Sequence, residues 1–349
     1  MTIDAPRLRR VVDSIFAAAG CRPEESARIA RYLVEANLVG HDSHGVIRVP
    51  SYIDWLRSGK VLANQTPEVV IETDVLAVVD GRFGFGQTVG EAAMNLGVRK
   101  CRRGGLAVVA LRNSGHLGRI GDWAEHAAAA GLVSLHFVNT SGGGILVAPA
   151  GGTRRRLSAN PIAAGVPREG AGPIILDLST CVIAEGKVRV ALNRGLRVPA
   201  GCLLDGHGLP TDDPRAFYAD PPGAILPMAG HKGYALSFLV EILAGALTGG
   251  SCSDPATRRV ANNMLTILID PDAFRAHEEF HREIERFIAH VKDCPTAEPD
   301  GEILAPGEPE ARARARRSIE GIDLDNATRE QVRATGRSLG LADEELGGL

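Results

Sequence analysis

Leu76-Ala77-Val78-Val79-Asp80-Gly81-Arg82-Phe83-Gly84-Phe85-Gly86-Gln87-Thr88-Val89-Gly90 decides how the body of this chain is read. A short apolar run rich in β-branched residues, Leu76 to Asp80, predicts a strand that enters a glycine-rich turn. Thr88-Val89-Gly90-Glu91 has capping-box spacing, predicting a helix to about Arg102, and Leu106 to Leu111 predicts the next strand. That order is the order of a dinucleotide-binding unit, whose glycines let a pyrophosphate reach a helix N-terminus. Here, however, the spacing is G-x-G-x-x-x-G, and the second strand ends in Arg112 where an acidic residue should take the ribose. An arginine there suits a 2′-phosphate, so the dinucleotide reading stays open. The spacing favours the plainer one, a turn whose glycines allow tight packing.

Upstream, Arg7 to Ala19 and Pro23 to Val39 predict amphipathic helices, the second with proline in its first turn and Gly40 just past its end. Next comes Gly40-His41-Asp42-Ser43-His44-Gly45-Val46-Ile47-Arg48. If Asp42 or Ser43 caps a helix, His44 and Arg48 stand at i and i+4 on one face. An imidazole able to carry a proton then sits beside a guanidinium able to grip a carboxylate with two hydrogen bonds. That pairing suits chemistry on a 2-oxo or 2-hydroxy acid. The alternative is a capped helix start whose polar residues face water.

Downstream, Asn113-Ser114-Gly115-His116-Leu117-Gly118-Arg119-Ile120-Gly121 lies between a strand and a helix from Ile120 to Ala130. Glycines around His116 leave room for a substrate, and the N–H groups of Gly118, Arg119 and Ile120 suit an anion. A turn histidine meeting only solvent is the competing reading. Strands are expected at Val69–Ile71, Leu132–Val138, Ile162–Val166, Ile174–Leu178 and Met264–Asp270. Helices are expected over Val182–Asn193, over Lys232–Leu247 (apolar almost all round, hence buried), over Ala273–Val291 and in the tail from Ala311. Asp177-Leu178-Ser179-Thr180, His231-Lys232-Gly233 and Pro306-Gly307-Glu308-Pro309 are loops fit for phosphate, ribose or amide contacts, though each alone reads first as structure. His277-Glu278-Glu279-Phe280-His281 matches the zinc-protease pattern H-E-x-x-H. Phe274, His277, His281, Ile284 and Ile288 also form one packing stripe, and His290 on the same helix is the sole downstream histidine, so no metal is expected.

Composition narrows the class. Hydrophobic residues at 44% and charged residues at 23% describe a globular protein, and a net charge of −3 argues against nucleic acid. Arg312 to Arg317 reads as a solvated helix face. Six scattered cysteines without C-x-x-C fit reduced thiols, and neither a leader nor an apolar run of membrane-spanning length is seen. A cytoplasmic protein is expected.

Asp42-Ser43-His44-Gly45 with Arg48, Asn113-Ser114-Gly115-His116, Asn160-Pro161, Asp177-Leu178-Ser179-Thr180, Gly186-Lys187, Lys232-Gly233 and Pro306-Gly307-Glu308-Pro309 together resemble the malate/L-lactate dehydrogenases of the second, non-Rossmann type. They stand in the family's order to about residue 340. His41–Gly45, Gly118–Gly121 with Trp123-Ala124-Glu125, and Glu241-Ile242-Leu243 are most similar to its hydroxycarboxylate dehydrogenase B branch. The resemblance implies a mixed α/β (α+β) fold of the family's own that binds NAD or NADP around a largely antiparallel sheet. Residues 1–73 with 310–349 would form a helical N- and C-terminal region and residues 74–309 the cofactor-binding and catalytic body. It also implies a homodimer and makes the Gly84 near-fingerprint a decoy.

The same resemblance implies reversible hydride transfer between a 2-oxo and a 2-hydroxy acid, of malate/lactate or aromatic type. Catalytic residues would be His44, His116, Arg48 and Ser43, with either histidine as acid/base and Arg48 on the carboxylate. The cofactor would lie along His44, Gly118, Arg119, Ile120, Ile175, Leu176, Asp177, Leu178, Ser179, His231, Lys232, Asn262, Ala305, Pro306, Gly307 and Glu308. Leu157-Ser158-Ala159 and the glycine-rich Asn139–Gly144 depart from the family pattern and bear on substrate identity. A cyclic imine (piperideine- or pyrroline-2-carboxylate) reductase would use the same carboxylate grip but protonate nitrogen. A non-catalytic dinucleotide-binding protein is the more distant alternative.

Overall fold

The structure, a computed structural model, describes residues 2–142, 144–257, 259–347 and 349. Strand β1 (Thr2–Ile3) leads into helix α1 (Ala5–Ala18), where the Asp4 carboxylate accepts from the Arg7 N–H as an N-cap. Leu8, Val11, Val12, Ile15 and Phe16 recur at helical spacing and bury one face of α1 against α2 (Pro23–Leu38). After two single 3₁₀ turns the chain enters α3 (Val49–Arg57).

Strands β2 (Glu68–Glu72) and β3 (Leu76–Asp80) precede α4 (Gly86–Gly104), which carries the chain to β4 (Leu106–Ser114). Because a helix makes that crossover, β4 lies parallel to β3. Thr88 does not cap α4. The helix begins at Gly86 with Phe85 before it, the Thr88 N–H already bonds the Phe85 carbonyl, and Glu91 accepts instead from Arg28 and Tyr32. Helix α5 (Gly121–Ala129) leads to β5 (Val133–Ser141), β6 (Ile162–Val166) and β7 (Ile174–Leu178).

Next come α6 (Glu185–Asn193), β8 (Leu203–Leu204), β9 (Pro210–Thr211), α7 (Pro214–Phe217) and β10 (Ala224–Ile225). Helix α6 starts three residues later than the expected Val182, which is exposed in the loop before it. These pieces enclose a small core of Val147, Leu157, Val188, Leu203, Phe217 and Ile225. Helix α8 (His231–Val240) runs on into a π-helical turn, Glu241–Ala246. Expected to be buried all round, this segment instead leaves Leu236, Phe238, Leu239, Ile242 and Leu247 exposed, because only its Ser237, Val240, Glu241 and Ala244 side meets the body.

Strand β11 (Ala261–Ile269) completes a seven-stranded sheet in the order β2-β3-β4-β11-β5-β6-β7, antiparallel at every pairing except β3–β4. Its central place explains its nearly continuous burial. Helices α4 and α5 cover the sheet over a core that includes Val89, Met94, Leu111, Trp123, Met264 and Leu268. Helix α9 (His277–Lys292) is shorter than expected, since Phe274 sits exposed in the turn before it. Its His277 Nδ1 faces Asp272 at 3.0 Å. Among the described residues no group of three His, Cys, Asp or Glu is disposed to hold a metal ion. Helix α10 (Glu308–Glu320), strand β12 (Ile322–Asp323, paired with β1) and α11 (Asn326–Arg337) return to the start of the chain, where Ile322, Leu324 and Val332 join the α1–α3 core. No helix among the described residues is long and apolar enough to cross a membrane.

Candidate active site

His44 and Arg48 do not share a helix. Asp42–His44 and Val46–Arg48 form separate 3₁₀ turns broken at Gly45, whose ψ of −152° is extended. The cause lies in Asn37 at the end of α2. Its Oδ1 accepts from the Val46 N–H at 2.9 Å and its Nδ2 donates to Asp42 at 2.7 Å, so the polypeptide folds around this amide. A Cβ at position 45 would lie 2.2 Å from Asn37 Oδ1, which is why a glycine stands there. From α10, Arg317 grips the Asp42 carboxylate at 2.7 Å and also donates to the Asn37 carbonyl. The arginine run is therefore more than a solvated face, for Arg314 also bridges Glu35 and Glu125. Arg48 still turns back over its own loop, with Nε donating to the Ser43 carbonyl at 2.7 Å. Ser43 in turn abuts Gly186, where a Cβ would come within 2.9 Å of its own.

His116 arrives from the other side, on the loop after β4. Here Gly84 and Gly86 find their purpose. The Gly115 N–H donates to the Gly84 carbonyl, and a Cβ on Gly86 would fall 2.2 Å from the His116 carbonyl oxygen. The near-fingerprint is a seat for the His116 backbone. Two asparagines at the start of β11 fix the same loop. Asn262 accepts from the Leu117 N–H and Asn263 from the Asn113 N–H, beside a bulge in the β4–β11 pairing. Asn262 Nδ2 is also engaged, on the Asn139 carbonyl and Thr140 Oγ1.

These supports bring the His44 and His116 rings together, centroids 5.6 Å apart and planes 8° from parallel. Tyr52 of α3 lies edge-on to His116, its hydroxyl 2.7 Å from Nδ1, and Trp55 stacks on Tyr52. Burial pushes the His116 imidazole down to about 3, and Arg48 pushes the same way. His44 is held well below the ordinary histidine value by burial, then by His116, Arg48, His41 and Arg119. Its Nδ1 is buried without a hydrogen-bond partner. Two neutral rings beside a cation make an environment that awaits an anion.

The expected cofactor residues fall into neighbouring groups. The N–H groups of Gly118, Arg119 and Ile120 donate to no acceptor among the described residues. The Arg119 side chain points inward, wholly buried, onto Asp122 at 2.9 Å and Glu125 at 2.8 Å, with Asp177 at 3.6 Å. Burial pushes the proton affinity of this guanidinium down, but the three carboxylates outweigh it and push it up. Asp122, buried, is raised to about 7 even beside Arg119. Asp177 accepts from the Gly121 N–H, and the Ile175 N–H donates to Pro306, with Gly307 packed on the same strand. That sets Gly118–Ile120, Ile175–Ser179 and Ala305–Glu308 side by side, Leu176 exposed and Leu178 part-buried among them. Glu308 meanwhile pairs with Lys292 and accepts from the Ala305 N–H. His231 and Lys232 open α8, which follows Met228, itself bonded to the Thr180 carbonyl. Among the described residues no hydrogen bond within the backbone or ring contact joins His231 or Lys232 to His44 or His116.

Sequence reasoning missed Asn37, Tyr52, Gln87 and Asn263. The adjacent Asn262-Asn263 pair, opening an otherwise apolar strand, was the one legible signal among these supports.

The malate/L-lactate dehydrogenase family model matches residues 3–333. The chain is 40% identical to hydroxycarboxylate dehydrogenase B of Escherichia coli strain K12 over 348 residues, covering 98% of this chain and 96% of that protein. It is 36% identical over 338 residues to the Δ1-pyrroline-2-carboxylate/Δ1-piperideine-2-carboxylate reductase of Pseudomonas syringae pv. tomato, 95% of each chain. The sulfolactate dehydrogenase structure from Methanocaldococcus jannaschii superposes with a TM-score of 0.88 at 32% identity, covering 99% of both chains. A match of this extent, on a chain that seats two histidines and an arginine together, settles its kinship: it belongs to the malate/L-lactate dehydrogenase family and is an oxidoreductase of that dehydrogenase group.

Proposed function

We propose that the chain interconverts a 2-oxo acid and a 2-hydroxy acid with NAD or NADP as redox partner. The observation that carries this reading is the parallel His44–His116 pair beside Arg48. Arg48 takes the substrate carboxylate, with Ser43 nearby, and so fixes the carbonyl in a reactive orientation. His44 and His116 meet the carbonyl oxygen, stabilise the negative charge that builds there on reduction, and supply its proton. The nicotinamide, when bound, supplies or accepts the hydride. The three unengaged N–H groups of Gly118–Ile120 at the start of α5 fit a dinucleotide phosphate. We assign Ile175–Ser179, His231, Lys232, Asn262, Ala305–Glu308 and His44 to the rest of its path.

A homodimer completes the reading. The apolar side chains that α8 and its π-turn leave exposed form a face for a second copy to cover. A second reading, reduction of a cyclic imine carboxylate, draws on the 36% identity to the Pseudomonas syringae reductase. Arg48 would act identically, and the proton would go to nitrogen. Consumption of NADH and of NADPH against a panel of 2-oxo acids and cyclic imines, aromatic ones included, decides between them. Turnover of 2-oxo acids is expected; turnover of imines alone would transfer the assignment to the second reading, and turnover of neither would remove both.

A further inference from the structure

His116 Nδ1 is 2.7 Å from the Tyr52 hydroxyl, and that hydroxyl oxygen is 3.0 Å from Gln87 Nε2. Three elements converge here, α3 with Tyr52, the first turn of α4 with Gln87, and the loop after β4 with His116. Tyr52 and Gln87 are each 1% exposed, so water does not compete for these bonds. A phenol has one hydrogen to give. With Gln87 donating to the Tyr52 oxygen, that hydrogen goes to His116 Nδ1, which must then be a lone pair. The Gln87 amide is turned with Nε2 toward Tyr52 and leaves its buried Oε1 without a partner.

Resting on the proposed 2-oxo acid chemistry, we infer that Gln87 and Tyr52 are positioning residues that hold His116 as a neutral imidazole with its proton on Nε2. So held, His116 offers a fixed N–H to the substrate's oxygen, as an electrophile rather than as a titrating acid. Protonation at Nδ1 would turn the Tyr52 hydrogen out of its bond. His44 has no such partner on its buried Nδ1, so no comparable contact fixes its tautomer. The ionisable groups facing His116 are Tyr52 from α3 and His44 and Arg48 from the 3₁₀ turns, with Asp122 of α5 acting on Tyr52. None of them is a carboxylate placed to favour a charged His116.

The test is ¹⁵N spectroscopy of the full-length protein with labelled histidine, the His116 signals assigned by their loss in His116→Gln. A protonated Nε2 and an unprotonated Nδ1 are expected through neutral pH. In Tyr52→Phe the two tautomers should mix, the ring should titrate at higher pH than in the natural protein, and kcat should fall about tenfold with KM little changed. Gln87→Leu should produce a smaller shift of the same kind. A natural protein whose His116 carries its proton on Nδ1 overturns the inference without need of any variant, and so does a Tyr52→Phe spectrum identical to the natural one. The spectra do not depend on turnover. A protein inactive on every 2-oxo acid but showing the Nε2–H signal would therefore refute the proposed reaction and leave the positioning of His116 standing.

Discussion

The imidazoles of His44 and His116 lie parallel with centroids 5.6 Å apart, although one is carried between α2 and α3 and the other beyond β4. At that separation in a buried setting the two rings cannot both hold a charge. They act as a unit, so removing either should cost nearly as much as removing both. His44→Ala and His116→Ala are each expected to lower kcat by roughly two or more decades, whereas Arg48→Ala should chiefly raise KM for the oxo acid. Steady-state kinetics with the best substrate from the panel would show this. Near-normal turnover in both histidine variants would end the proposed mechanism.

Both histidines are kept neutral by burial and, further, by the positive charge of Arg48. An anion seated on Arg48 cancels that charge, so the histidines' proton affinity is higher in the complex than in the free protein. The complex then holds more protons, and binding of an unreactive 2-oxo acid analogue should tighten as pH falls from 7 to 5. Calorimetry in two buffers of different ionisation enthalpy should detect net proton uptake near pH 6. Binding without any uptake would show that Arg48 is not the carboxylate site.

Gly86 is expected to tolerate no side chain. A Cβ there would meet the His116 carbonyl oxygen at 2.2 Å and its carbon at 2.5 Å, both main-chain atoms that cannot swing aside. Gly86→Ala should displace the His116 loop and cut kcat by about a hundredfold, the scale of a 1 Å misplacement. Gly172→Ala, where a Cβ meets nothing within 4 Å, is the control. A Gly86→Ala protein with the natural kcat would disprove the seating role.

The mixed fold and the positions of its main strands along the chain were legible because β3, β6 and β7 carry their signal in local composition. The seven-strand order was not, since β11 inserts between β4 and β5 through contacts of long sequence separation. The shared helix expected for His44 and Arg48 fails for a local reason. Helical spacing assumes a continuous helix, and Asn37 breaks it by bonding Val46 from outside the stretch. Gln87 was invisible because a glutamine in a helix's first turn carries no sign of the tyrosine it will meet. The glycines at 84 and 86 were conspicuous, yet what they approach is fixed by tertiary structure alone.

If α8 forms the seam of a homodimer, a charge placed on its exposed apolar side should prevent association. Phe238, 54% exposed, and Leu239, 47% exposed, lie on that side. The natural protein should sediment at twice the 36.8 kDa of the chain, and Phe238→Glu with Leu239→Glu as a monomer. Sedimentation of the natural protein as a monomer would dismiss the seam.

Arg119 is the cation on which the buried carboxylates beneath the Gly118–Ile120 loop depend, its side chain wholly inaccessible and within 3.6 Å of Asp122, Glu125 and Asp177. Arg119→Met preserves the volume but leaves Asp122 and Asp177 without their counter-charge. A loss of about 3–5 kcal/mol is expected, the usual cost of halving a buried ion pair. The loss should depend on pH with a definite sign. Asp122 already stands at about 7, above the ordinary 3.8, because burial penalises its charged form. A carboxylate whose folded value is raised favours the folded state at low pH and withdraws that support as pH climbs through the raised value. Without Arg119 the rise is steeper, so the deficit measured by urea unfolding should be smaller at pH 5 than at pH 8. Equal deficits at the two pH values would mean that the lost packing of the guanidinium, and not its charge, held the loop.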